Sequence, residues 1–191
     1  MPNNPVIRNN VRVTERWLEL DRQLPAILAG KVKPGSSQQR VERALFCVLY
    51  KERYHAAVGF FTDAFTAESK LADDLQAQHR YNAGCAAALA GCGQGKDAEQ
   101  SDVKERGRLR RQALAWLRAD LAAYRRLLEK EPDKAGVVRQ RMQHWQQDKD
   151  FAGVRGPEAL AKLPNAAERQ EWQQLWHEVE ALRQRAAGAP R

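Results

Sequence analysis

Few residues in this chain are of types that do chemistry, and their spacing decides what they can do. Gly91-Cys92-Gly93-Gln94-Gly95-Lys96 is the most suggestive run, because the backbone amides of a Gly-rich turn can cradle phosphate. A phosphate loop needs glycine five places before its Gly-Lys pair, a strand ahead of it and Ser or Thr after it. Here Ala90 holds the glycine position, helical periodicity precedes, and Asp97 follows, so the run reads as a helix stop and a loop. Asp148-Lys149-Asp150 with Gly153 resembles the start of a calcium loop. Ala152 and Ala159 occupy ligand positions of that loop, which leaves a helix-terminating turn. Cys85 and Cys92 are seven apart, and Cys47 and His79 join them in no zinc spacing, so small-residue packing is the reading. His55, His79, His144 and His177 are scattered, and Trp116, Trp145, Trp172 and Trp176 fall at the helical spacing of core aromatics rather than of a ligand cage. No cofactor or metal is expected, and no enzyme.

Charge offers a second route to function. The 191 residues carry 32 Lys and Arg against 24 Asp and Glu, a net 32 − 24 = +8. The densest basic run, from Lys104 to Arg111 and on to Arg118, Arg125 and Arg126, is interrupted by Glu105, Asp120, Glu129 and Glu131. That pattern reads as a solvated helix face, with a nucleic-acid-binding surface as the alternative, since clustered cations gain affinity by releasing phosphate counterions. No stretch reaches the roughly 18 to 20 apolar residues of a membrane helix. The start of the chain has neither a basic leader nor an apolar core, and three cysteines make no disulfide framework, so a cytoplasmic protein is expected.

The elements that must position these residues are all helices, because apolar residues recur at three and four almost everywhere and never alternate for long. A first helix carries Val13, Trp17, Leu20, Leu24, Ile27 and Leu28, capped by Asn10 or Thr14 and stopped at Gly30. A second runs from Ser36 or Ser37 to about Tyr50. A third, with Tyr54, Ala57, Val58, Phe61, Ala64 and Phe65 on its inner face, ends near Ser69. Residues 71–90 read as one helix, polar at first and then crowded with small side chains, and 91–102 as an exposed loop. A long helix over 103–130 stops before Pro132, where Glu131 is pushed out of helical geometry. Asp133 is placed to cap the next helix through Trp145, a short helix over 157–163 follows, and a last one covers 165–187. Six to seven helices are expected in one all-α domain over 11–187, with 1–10 a flexible N-terminus and 188–191 a frayed tail.

Two weak copies of a repeat run through these helices. Ala44-Leu45, Val48, Tyr54, Ala57, Phe61 and Ala64 fall where a tetratricopeptide repeat of about 34 residues sets its small and large interface positions. Tyr81, Gly84-Cys85 and Ala88, then Ala113 and Leu117, form a copy stretched by the insertion between its helices. Ser69 replaces the terminal proline and Asp120 an expected alanine. Beyond the repeats, Trp17-Leu18-Glu19-Leu20-Asp21, the segment 79–95, Ala115-Trp116-Leu117-Arg118-Ala119-Asp120-Leu121, His144-Trp145-Gln146-Gln147-Asp148 and Asp150-Phe151-Ala152-Gly153-Val154-Arg155 resemble the helical region that follows the kinase domain and its tetratricopeptide repeats in certain large bacterial serine/threonine protein kinases. The resemblance implies a stack of helix hairpins without catalysis of its own. The chain has no Val-Ala-Ile-Lys, no His-Arg-Asp loop and no Asp-Phe-Gly, and it reads either as a separate product or as a fragment of a longer gene.

The expected function is a tetratricopeptide-like scaffold for protein–protein interaction, with a protein or peptide partner held on a concave face. In the repeat register Arg43, Phe46, Tyr50, His79 and Asn82 face that groove. Arg43 would meet a carboxylate, Phe46 and Tyr50 would give apolar contact, and Asn82 would hold partner backbone. The competing reading has Phe46 and Tyr50 packed internally and Arg43 solvated.

Overall fold

A computed structural model describes residues 5–33 and 35–188. Residues 1–4 of the expected flexible start and 189–191 of the expected tail lie outside that range. Among the described residues there is no strand, and the chain is all-α. Its helices are α1 (Pro5–Leu28), α2 (Ser37–Phe46), α3 (Tyr54–Ala67), α4 (Lys70–Asp73), α5 (His79–Gly91), α6 (Val103–Lys130), α7 (Ala135–Gln147), α8 (Pro157–Ala161) and α9 (Ala166–Ala187). The count exceeds the expected six to seven because α4 and α8 are single turns of four and five residues.

Local chemistry explains most boundaries. Ser36 caps α2 through a capping box with Gln39, Asp102 caps α6, and Asn165 caps α9 by accepting from the amides of Ala167 and Glu168. Three boundaries depart from expectation. Helix α1 begins at Pro5, earlier than Asn10 or Thr14. The single helix expected over 71–90 is broken, because the Asp74 carboxylate accepts from the amides of Gln76 and Ala77 and holds a turn that Gln78 leaves at φ 56°. Asp133 caps nothing; it lies in a 3₁₀ turn over Pro132–Lys134, and α7 starts without a side-chain cap.

Helix α5 is the centre. Every residue from Ala83 to Gly91 is buried, between α3 on one side and α6 on the other, with the 3₁₀ segment Lys149–Val154 also against it. Helix α2 packs on α3, and α9 lies against both α6 and α7. The close approach needs small residues: a Cβ on Gly84 would come within 3.1 Å of Leu117, and one on Gly91 would meet the backbone nitrogen of Arg110 at 2.9 Å. Ala44, Ala57, Phe61 and Ala64 are fully buried, and Leu45, Val48 and Tyr54 are half-buried against the same core.

Two buried ion pairs tie α6 to its neighbours. Arg80 of α5 donates to Asp120 at 2.7 Å and to Asp73 at 2.9 Å, so the acid at 120 has a buried cation as its partner. Arg110 forks onto Glu168 of α9 at 2.5 and 3.1 Å and donates its remaining arm to the carbonyl of Gly91. Both partners of this second pair are 7% exposed. Tyr81 stacks on Trp145 of α7 with ring centroids 5.4 Å apart and meets Phe151 edge-on at 5.9 Å, while Phe151 contacts Trp176 of α9. Trp116, Trp145 and Trp172 are buried, as expected of core aromatics, and Trp176 is half-buried against them.

The segment 91–102 was expected as an exposed loop. Asp97 is instead 1% exposed and Ser101 3%. The Asp97 carboxylate accepts from the amides of His55 and Ala56 at 3.3 and 3.0 Å, capping α3 from 41 residues away, and Ser101 bonds His55 at 2.7 Å. An α3 start without its own side-chain cap leaves those donors to be satisfied from elsewhere.

Asp97→Ala should cost about 1–2 kcal/mol of stability and speed hydrogen exchange at the His55 and Ala56 amides. Glu168→Ala, which strands a buried guanidinium, should cost about 3–5 kcal/mol in urea unfolding, with Glu168→Gln losing visibly less.

Candidate functional site

Helix α2 ends in a π-turn over Cys47–Lys51, closed by Glu52 at φ 53°. At this wider turn Leu49 and Tyr50 stand 66% and 56% exposed. Helix α1 lies beside them. Trp17 stacks on Phe46 with centroids 5.5 Å apart and an interplanar angle of 10°, and Tyr50 tilts against both rings. Arg16 pairs with Glu42, and Lys51 pairs with Asp21 at 2.5 Å while sitting over the Phe46 ring. Phe46 is 3% exposed, so its apolar contact goes to Trp17 and not to an open groove. This corrects the expectation for that residue, and the physical reason is that α1 covers the face of α2 on which Phe46 lies.

Arg43 is on that same face, three residues before Phe46 and seven before Tyr50. It lines a cavity of about 230 Å³ between α1 and α2 together with Arg16, Glu19, Gln23, Gln39 and Glu42. The carboxylates there are engaged elsewhere, Glu42 by Arg16 and Glu19 by Arg22 and Gln23. Arg43 has no carboxylate partner among the described residues.

His79 and Asn82 are not in this cavity. They open α5, both half-buried. The Nδ1 of His79 is buried without a hydrogen-bond partner, and burial holds its pKa below the ordinary value of 6.5 against a weaker upward pull from Asp74. The five sequence-predicted residues therefore divide into Arg43, Phe46 and Tyr50 at the α1/α2 edge and His79 and Asn82 at the start of α5. Sequence reasoning missed Leu49, the most exposed apolar side chain of that edge, and Leu18 of α1 at 54%. No periodicity flags Leu49, because the π-turn shifts the helical phase at that point.

A polar cluster also forms where calcium and zinc spacing failed in sequence. Cys85, Asp148 and Asp150 offer ligand atoms within 4.8 Å of one another. Tyr81 donates to Asp148 at 2.5 Å, and the Cys85 thiol bonds Asp150. Burial pushes the Cys85 thiol and the Tyr81 phenol well above their usual ranges, and burial reinforced by Asp148 raises Asp150. Two proton-bearing groups thus face two carboxylates, and the network satisfies itself while joining α5 to the turn after α7.

Comparison with protein-family models, curated proteins and solved structures returned no match.

The depressed pKa of His79 works against the folded state in acid. Its contribution is fully present above about 6.5 and is lost as pH falls through the window below that value. An NMR titration should place the His79 midpoint below 6.5, and His79→Gln should flatten the loss of stability between about pH 7 and 5.

Proposed function

We propose that the chain is a non-enzymatic, tetratricopeptide-like helical module for protein–protein interaction, of the kind that accompanies bacterial serine/threonine kinases. Its partner docks on the edge formed by α1 and the end of α2. One observation carries this reading: Arg43, 8% exposed and without a carboxylate partner among the described residues, lines the cavity between α1 and α2, and the π-turn that ends α2 exposes Leu49 and Tyr50. A partner segment bearing a carboxylate for Arg43 and apolar side chains for Leu49, Tyr50 and Leu18 matches that edge. The stack of small and large residues across α2, α3, α5 and α6 supplies a rigid support, and the absence of phosphotransfer motifs from the sequence favours binding over catalysis.

A second reading, nucleic-acid binding, is favoured by Lys104, Arg106, Arg111 and Lys162, which have no ion pair among the described residues and gather near the start of α6 and the end of α8.

Native lysate passed over the immobilised protein tests both. Arg43→Glu combined with Leu49→Asp should reduce retention of a stoichiometric protein partner at least tenfold, while circular dichroism shows the helices intact. A partner held equally by this variant would remove the edge from consideration. Nucleic acid retained at low salt and released steeply as salt rises would favour the second reading instead.

A further inference from the structure

A second cavity, of about 330 Å³, lies on another part of the molecule, between the end of α5, the first turns of α6, the 3₁₀ segment after α7, and α8. This volume is at the lower end of small-molecule sites, roughly 300–1,000 Å³. Its charge is unbalanced. Of the three cations that line it, Arg110 is spent on Glu168 and on the carbonyl of Gly91. Arg106 and Lys162 have no ion pair among the described residues. The guanidinium of Arg106 lies across Gly93, where a Cβ would stand 2.8 Å from Nη1, and its Nε is buried with no acceptor. No hydrogen bond or ion pair from the terminal nitrogens of Arg106 exists among the described residues either, so the guanidinium is available to an acceptor supplied from outside.

The remaining wall fits a ligand of this charge. Cys92 closes one side against Gly153, where a Cβ would come 3.1 Å from the Cys92 Cβ, and Gln94 adds an amide at the rim. An adjoining cavity of about 510 Å³ shares Arg110 and carries Lys104 and Arg111, again without ion pairs among the described residues. Across the two linings the single carboxylate is Glu168, already paired with Arg110, so the cations outnumber the acids on this face.

We infer that this cavity binds a small molecule through an anionic phosphate or carboxylate group, with Arg106 as its forked donor and Lys162 as its second charge. The guanidinium plane can donate to either oxyanion in bidentate fashion, and the lysine adds a point charge. The inference is independent of the α1/α2 edge, and either can fail without the other.

Inorganic phosphate and citrate, titrated separately into the full chain at constant ionic strength, test it. Saturable binding should raise Tm by about 3 to 6 °C at tenfold excess over Kd. Phosphate alone acting would assign phosphate esters, and citrate alone carboxylates. Bound anion should also slow maleimide modification of Cys92 at least threefold. That thiol is the half-buried one, whereas Cys47 and Cys85 are buried. Arg106→Gln and Lys162→Gln should each abolish the Tm rise. If either variant unfolds, protection of Cys92 in the unaltered protein decides the matter. No saturable effect from either anion, an effect undiminished in folded variants, or binding of a 12-mer oligothymidylate with neither small anion would overturn the inference, the last transferring these cations to the nucleic-acid reading.

Discussion

The whole molecule depends on how slender α5 is. A helix whose residues from Ala83 to Gly91 are all buried can have neighbours on every side only if its side chains are short. Alanine and glycine bring little apolar area of their own, so the energy comes from what they admit: Leu117 over Gly84, Arg110 over Gly91, and Phe61 and Trp145 from elements beyond. Lengthening any of these side chains would force the surrounding helices apart, and a packed interior does not yield by small amounts.

The polar groups inside this interior are arranged to fix register. Arg80 and Arg110 point from adjacent helices to Asp120 and Glu168, and each pair can form in only one alignment of its helices. Burial raises Asp120 to about 6 even with Arg80 beside it, which shows how costly the charge is at that position. The cost of taking two charges out of water offsets much of their attraction, so removing one partner destabilises far more than the pair adds. The Tyr81, Asp148, Cys85 and Asp150 network does the same for the turn after α7, where Arg155 further holds the carbonyls of Trp145 and Asp148.

Much of this was legible in the sequence. The 3.6-residue period, the cap at Ser36 and the stop before Pro132 place most helices, and the core tryptophans follow from their spacing. What stayed hidden depends on contacts distant in sequence. Asp97 looks like a loop residue until α3 is seen to start without a cap. The π-turn at Cys47–Lys51 leaves no mark in residue type, yet it decides that Leu49 faces water. The repeat register turns Phe46 toward a groove, but the helix that covers it comes from 29 residues earlier, at Trp17, and no local pattern encodes their meeting. Arg43 shares a face with Phe46 by spacing alone, whereas its burial beside polar residues of α1 is not written in any local pattern.

The cysteines of the core carry a consequence for how this protein ages. Thiols react with oxidants as thiolates, and burial raises Cys47 to about 12 and Cys85 well above its ordinary value. All three cysteines are free, and burial raises the Cys92 thiol as well. What separates them is access: an oxidant arriving from solvent meets Cys92, half-buried at the wall of a cavity, before it meets Cys47 or Cys85 in the packed interior.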